Sequence, residues 1–221
     1  MTRRNSAVIL TALVALAAFA SATFLYQRHE RQQAAEQAAA KLDVMVRAHS
    51  PVIGPADAPV TIVEFFDPAC EACRAFYPHV KQILAAYPRE VRLVIRYVPF
   101  HQEPSVAGVQ ILEAARRQQR FEPVMDALMQ SQPVWASHSN PAAERAWEFA
   151  RAAGLDLEQA RAYVATGAVD KLLEQDVADL KAVGVRTTPT FFVNGRQLPE
   201  PDPSVLLAMV KSEAERLRKA P

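Results

Sequence analysis

The sequence predicts an α/β domain that is interrupted by a helical insertion and preceded by an apolar N-terminal helix. Three observations carry this. A β-branched and aromatic run, Val60-Thr61-Ile62-Val63-Glu64-Phe65-Phe66-Asp67, leads into Cys70-Glu71-Ala72-Cys73 and then into apolar residues at helical spacing. Far downstream, Gly184 to Arg196 passes from a helix stop through Thr188-Pro189 into another strand and an Asn194-Gly195 hairpin turn. Between the two lies a long stretch patterned as helices.

The chain has 221 residues and a formal charge of +1. Residues 1–26 are expected to be a signal anchor or signal peptide, 27–49 a helical spacer and 50–221 the domain. Roughly 170 residues suffice for a self-sufficient core. No basic footprint is present, so a nucleic-acid partner is excluded. Ala7 through Tyr26 carries no charge. As a helix rising ~1.5 Å per residue, this segment spans about 30 Å, one bilayer core. Arg3 and Arg4 precede it, which orients the remainder outside the cytoplasm. Ala20-Ser21-Ala22 fits a cleavage site, whereas Phe24-Leu25-Tyr26 followed by Arg28 fits an uncleaved anchor. The continuing apolar run favours inner-membrane anchoring through residues 7–26 over cleavage and secretion. Asn5-Ser6 do not extend a twin-arginine motif. The spacer is rich in Ala, Gln, Glu and Arg without Gly or Pro. It reads as a solvated stalk or a short oligomerising helix, and the oligomeric state stays open.

Within the domain, the first strand covers 60–67. Phe76, Val80, Ile83 and Leu84 mark the helix after it, which contains Pro78, a residue that must break one helical hydrogen bond. Val91 to Val98 is the second strand; if parallel to the first, it closes a βαβ unit. The insertion runs from about 105 to 167. Val109 and Leu112, then Phe121, Met125 and Leu128, place its first helices. Asn140-Pro141 is expected to start the next, Gly154 to stop it, and Asp156 with Gln159 to cap another. Leu173, Val177 and Leu180 form the face of a helix that ends before Gly184. Val205, Leu206, Met209 and Val210 form that of the C-terminal helix, after the turn-rich Pro199–Pro203.

Cys70 and Cys73 are the only cysteines. Cys70 falls at the first helical turn, where free backbone N–H groups and the helix dipole stabilise a thiolate. Cys73 lies one turn below, within reach of a small disulfide ring. A helix-terminal thiolate with a second thiol in reach performs thiol–disulfide exchange. A zinc site is not expected, because no second pair completes four ligands. A purely structural disulfide this short restrains little loop entropy.

Together these motifs resemble the thioredoxin superfamily, and within it the DsbA-like branch of bacterial envelope oxidoreductases. The resemblance covers about residues 50–215. It is carried by Ile53-Gly54-Pro55-Ala56-Asp57-Ala58-Pro59-Val60, Val63-Glu64-Phe65-Phe66-Asp67, the cysteine pair, Pro78 and Gly184 to Gly195. It implies a thioredoxin-like fold whose βαβ half and cis-Pro/hairpin half flank the insertion. It also implies a cis Thr188-Pro189 loop facing Cys70, with Thr188 and Pro189 binding the substrate backbone. Cys70 would be the nucleophile and Cys73 the resolving thiol. Glu64 would lie beneath the pair and manage protons, as a carboxyl raised by burial can. Glu71 and Ala72 stand where the family often has proline followed by an aromatic residue or histidine. They tune the potential and leave oxidase, reductase or isomerase open. The implied partners are protein thiols and disulfides and a membrane redox partner on the periplasmic side. No bound cofactor is needed, because the cysteine pair carries the electrons. A non-catalytic binding or chaperone-like module, metal handling included, is the competing reading. Met125 and Met129 read as core filling rather than copper ligands. His101 reads as a solvent-exposed loop residue, and Trp135 and Trp147 as core or groove residues.

Overall fold

The computed structural model describes residues 3–219, without the side chains of residues 3–12 and of several positions between 14 and 43. The chain forms two compact units, residues 1–40 and 41–221. The first is helical, being most of α1 (Arg3–Met45). Among the described residues no helix is long and apolar enough to cross a membrane. The span expected through residues 7–26 falls partly on side chains outside the described residues. Those that are described, Leu16, Phe19, Phe24 and Leu25 among them, are exposed.

The second unit is built on a five-stranded sheet ordered β1-β3-β2-β4-β5. β2 (Val60–Phe66) is central. β3 (Val91–Tyr97) runs parallel to it in register Val60↔Val91 through Phe66↔Tyr97. α2 (Glu71–Ala86) connects the two, which completes the expected βαβ unit. β4 (Thr190–Val193) is antiparallel on the other side of β2. The short β5 (Arg196–Gln197) pairs with β4, and β1 (Val52–Ile53), too brief to signal itself in sequence, pairs with β3. Asn194 and Gly195 both take positive φ, +46° and +79°, as a two-residue hairpin of this kind requires.

Strand alternation decides what each face holds. Val60, Ile62 and Phe66 pack with Phe76, Val80 and Ile83 of α2. They share this core with Leu206 and Val210 of α8 (Pro203–Arg218). On the opposite face Val63, Phe65, Val94 and Phe192 pack with Met45, Leu180 and Val185. Glu64 is therefore on the α2 face of an interior strand, not on an edge. Arg96, on the other face, is wholly buried and donates to the carbonyls of Val44 and Met45 and to Asp176 and Asp179. Arg47 adds two 2.8 Å bonds to Asp179, whose carboxyl these bonds hold well below the usual range, Arg47 contributing most. The compact unit begins at residue 41, earlier than the boundary expected at 50, because Met45 with Leu42 and Val46 packs in its core and Arg47 and His49 bind Asp179 and Asp176.

The insertion comprises α3 (Glu103–Arg117), α4 (Phe121–Trp135), α5 (Arg145–Ala152) and α6 (Leu157–Val164). α7 (Ala168–Val183) then returns to the sheet. Met125, Met129, Trp135 and Trp147 are buried in the core. Asp156 caps α6 as its spacing predicts, accepting from the Gln159 backbone at 3.1 Å. Asn140-Pro141 does not open a helix; α5 begins at Arg145, after a turn tied by Ala142 N–H to the Trp135 carbonyl.

Candidate active site

Cys70 is the N-cap of α2, in an extended conformation (φ −79°, ψ 123°) that leaves the first-turn amides free. Its backbone N–H is tied back to the Asp67 carbonyl at 3.0 Å. The sulfur is nearly buried and, as a thiol, donates to the Thr188 carbonyl at 3.4 Å. As a thiolate it accepts from the Cys73 thiol, the Thr188 hydroxyl and the amides of Cys73 and Ala72. The Cys73 hydrogen bond is the strongest of these influences. Against the opposing effect of burial, the set lowers the Cys70 pKa to about 5.

Cys73 is fully buried and unbridged to Cys70. Burial, then its hydrogen bond to Cys70, pushes its thiol well above the ordinary value. Glu64 is 3 % exposed and raised to about 8, first by burial and then by the charge on Cys70. The two cysteines are thus electrostatically divided: one ionises easily, and the other stays protonated above a carboxyl that is itself neutral in mild acid. The Thr188-Pro189 bond is cis, and the carbonyl of Thr188 faces Cys70, as the family resemblance implies. Every predicted site residue except Glu71 and Ala72 is at least half-buried around this point.

Glu71 projects outward at 63 % exposure. His138, from the segment after α4, approaches it to 4.0 Å and lies edge-on to His101, ring centres 5.2 Å apart. The motif itself lacks a histidine, but tertiary structure brings one to its rim. His101 is also not the free loop residue expected: its Nδ1 lies 2.7 Å from the Asp67 carboxylate.

Three residues of the site were not picked out from sequence. Asp67, fully buried, accepts from Ala69 N–H, Phe100 N–H, His101 N–H and the Ser105 hydroxyl. It thereby joins the loop before Cys70 to the loop after β3. Gln132 of α4 donates to the carbonyls of Pro68 and Cys70. Gly108 of α3 allows a close approach, since a Cβ there would lie 2.7 Å from Pro68 Cγ. For Gln132 and Gly108 the only available signal was a polar residue or a glycine inside an apolar helical pattern, and Asp67 stood in the sequence only as the end of the strand motif. Among the described residues, no group of His, Cys, Asp and Glu is placed to hold a metal ion.

A family model described as thioredoxin matches residues 46–212. Over 145 residues the chain is 33% identical to a Na(+)/H(+) antiporter NhaA of Herminiimonas arsenicoxydans, a match covering 66% of this chain and 22% of that protein. The chain spans less than a quarter of the length of the curated relatives it matches. Among solved structures, a thioredoxin-like oxidoreductase from Silicibacter pomeroyi DSS-3 superposes with a TM-score of 0.66 at 31% identity, covering 79% of this chain and 95% of that one. BdbD of Bacillus subtilis shares the fold with a TM-score of 0.68 at 21% identity, covering 76% and 94%.

The divided ionisation predicts a specific alkylation pattern. Reduced protein treated with iodoacetamide should be modified at Cys70, with a rate that rises through a half-point near pH 5, while Cys73 stays unmodified at neutral pH. Peptide mapping that found Cys73 modified first would reverse the assignment.

Proposed function

The chain belongs to the thioredoxin family, and we propose that it is a DsbA-like thiol–disulfide oxidoreductase that exchanges disulfides with protein thiols in the bacterial cell envelope. The observation that carries this reading is the pairing of a low-pKa Cys70 with a neutral, buried Cys73 beneath the cis-proline loop. A binding module that retained only the fold has no use for that division, and the competing reading is not favoured.

In the oxidising direction a substrate thiolate attacks the Cys70 sulfur of the protein disulfide. The Cys70–Cys73 bond breaks, and Cys73 leaves with the electron pair and takes a proton. A second substrate thiolate then attacks the substrate sulfur of the mixed disulfide. Cys70 departs as the thiolate its surroundings favour, and the substrate leaves oxidised. Reduction is the same sequence in reverse. Glu64 is the proton source for Cys73 and, in reverse, its base, since a carboxyl titrating near 8 changes state in the working range. Thr188 and Pro189 hold the substrate backbone beside the sulfurs. No bound cofactor takes part, and a membrane redox partner resets the pair. The uncharged run from Ala7 to Tyr26 behind Arg3 and Arg4 supports an extracytoplasmic domain anchored at the inner membrane.

The test is exchange itself. The protein should reduce insulin disulfides or oxidise a reduced model protein. Cys70→Ala should abolish this, and Cys73→Ala should accumulate mixed disulfides. Glu64→Gln should slow resolution on the order of 10²-fold, the lower end of a general acid–base contribution. Wild-type inactivity in both assays would refute the proposal.

The poise depends on Glu71, whose carboxylate opposes the neighbouring thiolate. A mild oxidant follows, with a standard potential between about −230 and −130 mV as read by equilibration with glutathione. Glu71→His should raise the potential; an unchanged value would transfer control to the loop facing the cysteines. Attachment is checked by fractionation. The full chain should sediment with membranes and residues 41–221 should stay soluble, whereas a mature N-terminus at Thr23 would establish cleavage.

A further inference from the structure

Gln132 uses all of its amide's hydrogen-bonding groups on the active-site loop and helix. One N–H donates to the Pro68 carbonyl at 2.9 Å and the other to the Cys70 carbonyl at 2.9 Å. Its oxygen accepts from Arg74 Nε at 3.1 Å. The side chain is 1 % exposed, on the buried side of α4 among Val124, Met125, Leu128 and Met129. A polar side chain is costly there unless fully paired, so its bonds need a reason beyond filling space.

The carbonyls it holds are those of Pro68 and Cys70, on either side of Ala69. Ala69 N–H is already fixed by Asp67 at 2.9 Å, and Pro68 is pressed against Gly108. The Cys70 carbonyl also accepts the first helical bond of α2, from Arg74 N–H at 3.1 Å. Gln132 occupies its remaining lone-pair direction. The Cys70–Glu71 peptide therefore cannot rotate without breaking two bonds. Its orientation determines whether the amides of Ala72 and Cys73 aim at the sulfur. A donor on a peptide carbonyl also polarises that peptide and strengthens the hydrogen bonding of the turn it begins.

We infer that Gln132, a residue of the helical insertion, is a positioning residue for Cys70, holding its carbonyl so that the first turn of α2 stays aimed at the sulfur. Arg74 is the outer clamp of the same arrangement, its guanidinium held on Gln132 rather than free to reach the sulfur. The insertion thereby contributes to the reactivity of a cysteine it does not carry. This deepens the exchange reading above and rests on it for its consequence, though not for its test.

The test uses Gln132→Met in the full chain, which keeps the length and flexibility of the side chain and removes both donors. Cys70 alkylation is followed against pH, and the cysteine pair is equilibrated with glutathione. For a rise of about one pKa unit, the ionised fraction at pH 5 falls from a half to roughly a tenth, so alkylation there should slow about fivefold. At pH 7 the equilibrium should move about tenfold toward the protein disulfide. A folded variant with the wild-type pH profile and equilibrium would overturn the inference. If the variant fails to fold, wild-type protein labelled with ¹⁵N decides instead. The two Gln132 side-chain amide protons should be protected from exchange and should shift as Cys70 ionises. Rapidly exchanging, invariant protons would overturn it. Neither readout needs a protein substrate. Failure of the exchange assays with a displaced pH profile in the variant would refute the proposed function alone, and the reverse pattern would refute only the role of Gln132.

Discussion

A negative sulfur has to be held at the N-terminus of α2 while a carboxyl and a second thiol, buried just beneath it, remain neutral. In a low-dielectric interior these requirements are coupled. The Cys70 thiolate raises both Glu64 and Cys73, and the protonated Cys73 returns a hydrogen bond that lowers Cys70. Ionisation is therefore ordered, sulfur first and carboxyl later. The linkage to stability has opposite signs for the two groups. A Cys70 thiol lowered from 9.0 to about 5 stabilises the reduced protein fully above pH 9, and this is lost as pH falls through 5. Glu64, raised from 4.5 to about 8, contributes fully below 4.5 and is lost as pH rises through 8. Between these limits the two contributions offset each other, so the reduced state keeps a charged sulfur without a steep pH dependence from this pair.

The sheet makes that arrangement possible. β2 is interior and covered on both faces, so Glu64 is desolvated by the strand's position rather than by a special pocket. Its place in the even-numbered set puts it under α2, on the cysteine side. The opposite face carries a different electrostatic solution: Arg96 is buried with two carboxylates and two backbone carbonyls. Removing one partner from such a group typically costs about 3–5 kcal/mol. That cluster gathers the end of α1, β3 and α7, and leaves the α2 face to chemistry.

The insertion is a roof for the active-site loop as much as a separate lobe. Gly108 admits Pro68, Gln132 binds the loop carbonyls, and His138 stands by Glu71. Asp67 ties the segment before Cys70 to the loop after β3 through His101 and to the first turn of α3 through Ser105. The loop that carries Cys70 is consequently fixed by side chains of the loop after β3, α3 and α4, all distant in sequence.

The main strands and helices of the domain, and a candidate cysteine pair, were legible in the sequence. β-branched and aromatic runs located β2 and β3, apolar residues at helical spacing located α2, α7 and α8, and the cysteine spacing at a strand–helix junction singled out the candidate pair. These signals are local, because backbone geometry repeats over a few residues and a helix N-terminus lies beside its own first cysteine. What only the tertiary structure decided is who stands opposite whom. β1 is too short to have a period. Pro141 obeys a neighbouring turn, not its own preference for a first helical turn. Val44, Met45, Arg47 and His49 looked like part of a stalk because their partners, Arg96, Asp176 and Asp179, lie far along the chain. Asp67, Gln132 and Gly108 are unremarkable in sequence for the same reason: a buried hydrogen bond or a missing Cβ acquires its meaning from the group across the gap, and that group is specified only when the chain has closed on itself.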